Sequence, residues 1–177
     1  MMLSKQKQQT SFEALAPSLG YTNRMAAPRI MKVVVSSGVG KKRDKAQLAL
    51  VADRLAKITG QKASPRAARL SIAQFKMREG DIVGYQVTLR GSRMFDFLDK
   101  LIHIALPRTR DFRGINESAV DEMGNLTIGI REHTIFPETA DEDLKDVFGL
   151  AITVVTTAKT KEEASAFFRH LGVPFKK

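Results

Sequence analysis

The sequence predicts an α+β fold, a mainly antiparallel β-sheet with helices packed on one face and an open polar face on the other. Segments with strand character cluster as hairpins, and helical segments lie between the clusters, which is typical of α+β folds. The clearest strand, residues 82–90, alternates apolar and polar side chains, whereas a strand covered on both faces is apolar throughout. At 177 residues the chain is long enough to bury its own core, and we expect a single domain over residues 1–177.

The N-terminal part of the chain predicts a tail, a strand and a helix. Residues 1–10 hold two cations and no hydrophobic segment, so we expect a frayed tail and no secretory signal, with a short organellar transit peptide as the alternative. Residues 30–36 are rich in β-branched side chains, which predicts a strand. A helix follows from Asp44, with Asp44 and Gln47 as a capping box, Gly60 as its stop, and a buried stripe of Leu48, Val51, Leu55 and Ile58.

Residues 61–91 predict two or three strands. The clearest has an apolar face of Val83, Tyr85, Val87 and Leu89 and a polar face of Gly84, Gln86, Thr88 and Arg90. Residues 72–78 also alternate, and this pattern alone places Phe75 in the core. The alternative is an aromatic side chain offered to an unstacked base and flanked by cations. An amphipathic helix follows and ends at Pro107; its apolar positions are Phe95, Leu98, Leu101, Ile102 and Ala105.

The C-terminal third predicts two strands and a helix around irregular segments. Residues 108–125 are irregular, residues 126–130 form a strand, and residues 133–147 form a mostly polar loop. The last strand covers residues 150–157. The final helix has Thr160 and Glu163 as a capping box and ends at Gly172 and Pro174, and its apolar stripe contains Ala164, Phe167, Phe168 and Leu171.

Charge is unevenly distributed along the chain. The net charge of +10 divides into +8 for residues 1–59, +6 for residues 60–115, −7 for residues 116–149 and +3 for residues 150–177. A basic excess of this size favours a polyanionic partner, although a basic protein without such a partner is the alternative. The acidic segment should avoid phosphate and face solvent or a basic protein.

Several function classes lack support in the sequence. There is no cysteine, so disulfides and thiolate sites are excluded, and no apolar run approaches the roughly 18 residues of a membrane span. Residues 141–143 are acidic but lack the glycine of an EF-hand loop. Three histidines lack ligand-pair spacing and are expected at the surface or in packing: His103, His133 and His170. No catalytic arrangement is visible, and we expect no enzyme, no cofactor and no metal.

The loop after the first strand is the strongest candidate for phosphate contact. Gly38 and Gly40 are too closely spaced before Lys41 for a P-loop, and Arg43 occupies the third glycine of a dinucleotide fingerprint. Glycines still let a backbone approach a polynucleotide, whose phosphates cations would neutralise, while an ordinary strand-to-helix turn is the alternative. The cations of this loop are Lys41, Lys42, Arg43 and Lys45. A wider basic surface would combine Lys32, Lys62, Lys76, Arg78, Arg90 and Arg93.

A collinear series of short blocks is more specific than any one motif. The blocks are residues 28–40, 60–62, 71–80, 87–91, 107–114, 129–132, 135–138 and 156–160. They begin with Pro28-Arg29-Ile30 and include Gln74-Phe75-Lys76-Met77-Arg78 and Pro107-Arg108-Thr109-Arg110-Asp111-Phe112-Arg113-Gly114. In this order and spacing the chain resembles large-subunit ribosomal protein five of the bacterial type, over about residues 20–177.

This resemblance implies a non-enzymatic role in binding 5S ribosomal RNA in the central protuberance of the large subunit. The family's RNA-facing residues lie on the open sheet face and in the glycine loop. Family positions fall on Gln61, Phe75 and Thr88, whereas Ser36 replaces an asparagine and lacks its paired donors and acceptor. The expected ribosomal RNA-binding residues are Lys32, Ser36, Gly38, Gly40, Gln61, Lys62, Phe75, Thr88 and Arg90.

The resemblance also implies two further contacts. The loop over residues 74–80 would touch peptidyl-site transfer RNA through Gln74, Lys76, Met77, Arg78 and Gly80. The segment after the second long helix would reach a basic protein of the small-subunit head, with intersubunit contacts from Arg108, Arg110 and Arg113. Here the chain departs from the family at Val120, Asp121, Glu122 and Leu126.

The expected partners are therefore 5S ribosomal RNA, large-subunit ribosomal RNA, peptidyl-site transfer RNA and that basic protein, in a cytoplasmic rather than an organellar ribosome. We expect no membrane contact and no homo-oligomer. Within the domain we expect an N-terminal tail and helix (1–27), an RNA-binding half (28–107), an extended loop region (108–149) and a closing strand and helix (150–177). Two rival functions are a general nucleic-acid chaperone or DNA-binding module, and an enzyme acting on an acidic or phosphorylated substrate.

Overall fold

The computed structural model describes residues 3–40, 44–140 and 147–176. It is an α+β fold with an open, antiparallel five-stranded sheet in the order β2-β3-β1-β5-β4, which confirms the predicted class. The strands are β1 (Ile30–Gly38), β2 (Ser64–Ala67), β3 (Ile82–Leu89), β4 (Leu126–Ile130) and β5 (Leu150–Thr156). The helices are α1 (Ser4–Gln9), α2 (Ser11–Leu19), α3 (Lys45–Thr59), α4 (Ser92–Lys100), α5 (Leu106–Arg108) and α6 (Lys161–Leu171).

Alternation along the strands separates a core face from an open face. In β1, Val33, Val35 and Ser37 are buried, while Lys32, Val34 and Ser36 between them are partly exposed. β5 alternates in the same way over its whole length, and β3 does so from Tyr85 onward. Because side chains of successive strand residues point to opposite sides, one face of β1, β3 and β5 is packed and the other remains available, as the sequence predicted.

The chain forms two compact units. The first contains the residues up to 33, residues 89–128 and those from 153 onward, and the second contains residues 34–88 and 129–152. In the first unit, Phe167, Phe168, Leu101 and Leu126 are fully buried. In the second, the fully buried side chains include Val35, Leu55, Phe136 and Ile152.

Most of the N-terminal stretch is helical, so the prediction of a frayed tail is wrong for the residues from 3 onward. The Ser4 hydroxyl donates to Asp99 Oδ1 at 2.5 Å, and Lys7 Nζ donates to the Leu171 carbonyl at 2.9 Å. His170 Nε2 lies 2.8 Å from the Lys7 carbonyl oxygen. These bonds join α1 to α4 and α6, and the partners lie too far away along the chain for a local pattern to reveal them.

Tyr21, after α2, makes a further attachment to α6, because its hydroxyl donates to the Glu163 carboxylate. Burial, then the hydrogen bond to Glu163 and its negative charge, raise the pKa of Tyr21 well above its usual value. The neutral phenol is therefore the form that the fold stabilises.

The helix ends confirm some of the predicted caps and correct others. α3 ends at Gly60 with φ +67°, a left-handed conformation that glycine adopts without strain. At its start the Asp44 side chain makes no capping hydrogen bond, so the predicted capping box is wrong. At α6, Thr160 Oγ1 accepts from Glu163 N at 3.3 Å as predicted, but the Glu163 carboxylate accepts from Lys159 N at 2.8 Å instead of the Thr160 amide.

The helical region after β3 continues past Pro107, where the sequence predicted its end. A π-helical segment, Leu101–Ala105, links α4 to α5, and Thr109 N closes the last turn on the Leu106 carbonyl at 3.0 Å. Proline has no N–H for the carbonyl four residues earlier. The wider π turn before it changes the hydrogen-bond register and lets the chain remain helical for one more turn.

Residues 133–140 are more buried than the predicted polar loop. They form two short 3₁₀ turns, His133–Ile135 and Pro137–Thr139, with His133 and Phe136 fully buried. The His133 ring stacks on Phe148, with ring centroids 4.1 Å apart, and Thr139 Oγ1 donates to the His133 carbonyl at 2.9 Å. His133 is thus a packing histidine. The acidic turn predicted at residues 141–143 lies outside the described residues.

Candidate nucleic-acid interface

The second unit contains seven of the nine predicted RNA-binding residues, and two of these, Ser36 and Thr88, lie on the open face of its strands. Ser36 on β1 and Thr88 on β3 are half-exposed on the faces of their strands that point away from the core. In the antiparallel register of β2 and β3, Arg66 pairs with Gly84 and Ser64 with Gln86. Since directly paired residues lie on the same face, Arg66 and Gln86 also belong to this surface.

Sequence reasoning missed Arg66 as a candidate. β2 contains only four residues, and all of them are exposed. A strand this short shows too little alternation to reveal which side chains share a face. Only the register of β2 with β3 places Arg66 on the open surface. Arg66 is an exposed cation beside the polar positions of β3, where a phosphate contact is chemically suitable.

Gln61 and Thr88 are brought together although 27 residues separate them. Gln61 Nε2 donates to the Thr88 carbonyl at 3.4 Å. Thr59 supports the turn that presents Gln61, because its buried hydroxyl lies 2.6 Å from the Leu55 carbonyl oxygen and 3.1 Å from that of Gln61. The side-chain oxygen of Gln61 is left as an acceptor, and the half-exposed Thr88 hydroxyl can donate or accept.

Ser36 lies at the expected place, but its hydroxyl is partly engaged. It donates to the Ala151 carbonyl at 3.4 Å, a long contact near the limit of hydrogen bonding. On the opposite face, the buried Ser37 hydroxyl donates to Gly149 O at 2.8 Å. Ser36 therefore keeps acceptor capacity on the open face, without the two donors of an amide.

The glycine loop begins at the end of β1. Gly38 is exposed, and a Cβ placed there would meet no atom within 4 Å. Gly40 has φ +55°, a left-handed conformation that glycine adopts at little cost. Lys45 is exposed at the first residue of α3, while Lys41, Lys42 and Arg43 lie outside the described residues. Both the phosphate-contact interpretation and the ordinary turn remain compatible with this backbone.

The segment from 72 to 78 is a tight loop and not the strand that its alternation suggested. Ile72 and Met77 exchange main-chain hydrogen bonds of 2.9 and 3.2 Å, and a 3₁₀ turn, Ala73–Phe75, closes the tip. Phe75 is 57% exposed, so the placement in the core that the alternation predicted is wrong. Lys76 follows with φ +50°. The predicted transfer RNA contacts are mostly exposed here: Gln74, Lys76, Arg78 and Gly80 are exposed and Met77 is half-exposed.

The remaining predicted cations are accessible. Lys62, in the second unit, is exposed just before β2. In the first unit, Lys32 is half-exposed on β1, Arg90 is exposed just after β3, and Arg93 is exposed in the first turn of α4. Each has the solvent access that a phosphate contact needs.

The predicted intersubunit cations Arg108, Arg110 and Arg113 are all exposed in the first unit. A turn with Asp111 at φ +55° lies among them. In the acidic segment that follows, Glu117 forms an ion pair with Arg169. Asp121 accepts from Asn125 N at 2.6 Å and from Asn125 Nδ2 at 2.9 Å. Burial alone would raise the pKa of Asp121, but these hydrogen bonds and one from Met123 N lower it overall.

Metal-binding clusters and membrane-spanning helices are both absent from the described ranges. Residues 3–40, 44–140 and 147–176 hold no group of three or more histidine, aspartate or glutamate side chains placed to bind a metal ion. Within the same residues no helix is long and apolar enough to span a membrane.

Comparison with known proteins identifies related sequences over nearly the whole chain. Residues 23–78 match the family described as ribosomal protein L5, and residues 82–175 match the family described as the C-terminus of that ribosomal protein. Proteins named large ribosomal subunit protein uL5 from Anaeromyxobacter sp. (strain K) and Rubrobacter xylanophilus are 48% and 50% identical to it, each over 92% of this chain and 91% of the relative. The protein of that name from Halothermothrix orenii is 45% identical over 98% of both chains.

Proposed function

Since the chain belongs to the L5 family of large-subunit ribosomal proteins, we propose that it binds 5S ribosomal RNA in the central protuberance and contacts peptidyl-site transfer RNA and the small-subunit head. Membership confirms the family resemblance, and with it the expectation of a structural ribosomal component of bacterial type that is not an enzyme. Ribosomal RNA and ribosomal proteins are accordingly its partners. We place it in cytoplasmic ribosomes, with residues 28–107 as the RNA-binding half.

The observation that carries the 5S RNA proposal is the half-exposed polar surface of β1 and β3 in the second unit. Ser36, Gln61 and Thr88 supply hydroxyl and amide groups there, and Arg66 and Lys62 supply exposed positive charge. Such a surface suits contacts to 2′-hydroxyls and phosphates, which dominate recognition of double-stranded RNA. Gly38, Gly40, Lys32 and Arg90 complete the proposed 5S RNA contacts.

We assign the exposed loop tip to transfer RNA. Phe75 is more than half exposed in this loop, and Lys76 and Arg78 beside it are exposed as well. An aromatic side chain flanked by cations can pack on a ribose or base while the charges engage the backbone. Gln74, Met77 and Gly80 lie in the same tight loop.

We assign the segment after α5 to the small-subunit head. Arg108, Arg110 and Arg113 are exposed, and the acidic residues that follow favour a basic protein partner over RNA. Exposed carboxylates of the described part include Asp121, Glu122, Glu132 and Glu138.

The test of the 5S RNA proposal is the double variant Thr88→Ala/Arg90→Ala. It should weaken binding of labelled 5S RNA severalfold in a filter or mobility-shift titration, with an unchanged circular dichroism spectrum. The matched control is Thr22→Ala/Arg131→Ala, which removes an exposed hydroxyl and an exposed guanidinium elsewhere. If the Thr88/Arg90 variant binds 5S RNA as tightly as the wild type, the sheet-face assignment is wrong.

A second measurement separates the rival functions. The wild-type protein should prefer 5S RNA to a random duplex of equal length at moderate salt, and it should copurify with ribosomal particles. A general nucleic-acid chaperone would show little preference between the two RNAs. An enzyme would have no reason to sediment with the large subunit.

A further inference from the structure

A groove in the first unit is lined by residues that none of the contacts proposed above uses. It has a volume of about 170 Å³ and lies between α1, α2 and the segment before β1. Two arginines, Arg24 and Arg29, line it together with Phe12, Met25 and Gln8. None of these residues belongs to the proposed 5S RNA, transfer RNA or intersubunit contacts.

Hydrogen bonds within the protein fix the backbone segments that form the walls of the groove. Gln8 Oε1 accepts from Ile30 N at 2.9 Å, which fastens α1 to the start of β1. Arg29 N donates to Thr157 Oγ1 at 3.0 Å, and the Arg29 carbonyl accepts from Thr157 N at 3.0 Å.

The opposite wall is a short 3₁₀ turn, Arg24–Ala26. Asn23 Oδ1 caps this turn by accepting from Met25 N at 2.8 Å. Because the backbone on both sides is fixed by hydrogen bonds, little ordering of the backbone would be required on binding.

The charge of the surroundings favours an anionic ligand. Residues 3–33 contain five cations and one carboxylate, Glu13. Arg24 and Arg29 are exposed, and neither makes an ion pair within the part of the chain that the structure describes. A guanidinium without a carboxylate partner is available for bidentate contact with phosphate.

The volume of the groove and its apolar side chains indicate which kind of anion it would bind. Small-molecule sites usually enclose roughly 300–1,000 Å³, so a groove of about 170 Å³ suits a fragment such as one base with its phosphate. Met25 is 78% exposed, which is unusual for a large apolar side chain, and Phe12 lies on the same groove. Unstacked RNA bases are commonly held on such apolar or guanidinium surfaces while the backbone is held by cations.

We infer that this groove binds one unstacked nucleotide of single-stranded RNA, with Arg24 and Arg29 on the phosphates and Met25 and Phe12 against the base. The inference rests on the proposed function only in that the chain acts on ribosomal RNA. It adds an RNA contact made by residues other than those assigned to the sheet face.

The experiment uses the full-length chain and two fluorescent probes, a ten-nucleotide oligoadenylate RNA and an abasic oligomer of the same length and charge. The test variant Arg24→Lys/Arg29→Lys keeps both charges but removes the planar guanidinium groups. Affinity for both probes, measured by fluorescence anisotropy, should fall at least fivefold, because both carry the phosphates assigned to Arg24 and Arg29. Met25→Ala should weaken oligoadenylate binding by at least threefold and abasic-oligomer binding by less than twofold, because only oligoadenylate carries bases.

The matched control is Lys159→Arg/Lys161→Arg, two exposed cations of the same unit, which should change neither affinity. Unchanged oligoadenylate binding in either groove variant would overturn the inference, as would an equal loss of affinity for the two probes in Met25→Ala, which would mean that Met25 does not contact the base. The Thr88→Ala/Arg90→Ala variant separates the two proposals. If it leaves 5S RNA binding intact while the groove variants lose oligoadenylate, the sheet-face assignment fails and the groove stands.

Discussion

The side-chain amide of Gln61 donates to the main-chain carbonyl of Thr88 at 3.4 Å, joining the end of α3 to the open face of β3. Gln61 lies one residue beyond the glycine that terminates α3, so the orientation of its side chain depends on that turn. The buried hydroxyl of Thr59 stabilises this turn, because it lies within hydrogen-bond distance of the Leu55 and Gln61 carbonyl oxygens. Thr59 is thus a positioning residue for a proposed RNA contact that it does not itself make.

We expect Thr59→Val to weaken 5S RNA binding severalfold through Gln61. Valine keeps the shape of threonine but leaves the Leu55 and Gln61 carbonyls without their hydroxyl partner, which should lower the free energy of unfolding by ~1 kcal/mol. In a Gln61→Ala background, Thr59→Val should cause no further loss of RNA affinity, because coupled residues are not additive. Thr59→Ser, which keeps the hydroxyl, is the control. Additive losses in the double variant would exclude the positioning role.

Phe75→Ala should leave stability almost unchanged and weaken RNA binding. Phe75 is 57% exposed, so its loss should change the free energy of unfolding by no more than about 1 kcal/mol. Phe136→Ala is the comparison, because Phe136 is fully buried and its truncation should cost ~3–5 kcal/mol. Urea titrations measure both. Equal destabilisation by the two substitutions would mean that Phe75 is packed in solution.

Asp121→Asn should lower the thermal midpoint at neutral pH and make the midpoint less dependent on pH in acid. Hydrogen bonds from Asn125 and Met123 hold the pKa of Asp121 below its unfolded value. Its stabilising contribution is therefore present above the unfolded pKa of roughly 3.9 and is lost as pH falls through the folded pKa. Thermal midpoints of wild type and variant should differ at pH 6 and converge as the pH falls below about 4.

The matched control for Asp121 is Glu122→Gln. It removes a carboxylate from the same exposed loop without affecting the hydrogen bonds to Asn125. A midpoint difference for Asp121→Asn that stays constant from pH 6 to pH 2 would contradict the prediction.

Tyr21→Phe should loosen the N-terminal segment from α6. The Tyr21 hydroxyl donates to the Glu163 carboxylate, and loss of one such bond at a partly exposed site should lower stability by ~1 kcal/mol. The pKa of Tyr21 is raised in the fold, so this contribution is complete below the unfolded pKa of roughly 10 and is lost as pH rises above it. Wild type and variant should therefore converge in alkaline denaturation.

The protein contains two tyrosines, and Tyr85 provides the control for Tyr21. Tyr85 is buried on β3, and its hydroxyl makes no hydrogen bond within the described residues. Tyr85→Phe should thus change stability by less than about 0.5 kcal/mol. A loss for Tyr85→Phe as large as that for Tyr21→Phe would show that the hydrogen bond to Glu163 is not the source of the effect.

Regular periodicity made most of the fold predictable. The strand at 82–89 and the helix at 45–59 were evident because their apolar side chains recur every second residue or at helical spacing. Gly60 and Thr160 were recognisable as helix ends because their conformation and hydrogen bonds depend on the adjacent backbone. The alternation at 72–78 led to a wrong prediction of strand structure with Phe75 in the core. A tight loop closed by Ile72 and Met77 has the same local pattern as a strand.

The basic character, the antiparallel sheet and its open polar face follow from composition and local pattern, because charge is additive along the chain and side-chain direction follows from backbone period. Which residues contact each other across different elements was decided only by the tertiary structure. Gln61 with Thr88, Ser4 with Asp99, and Arg66 with Gly84 join residues that no local pattern links. Such contacts depend on how the elements pack and in which register strands align, and those choices minimise the free energy of the whole chain.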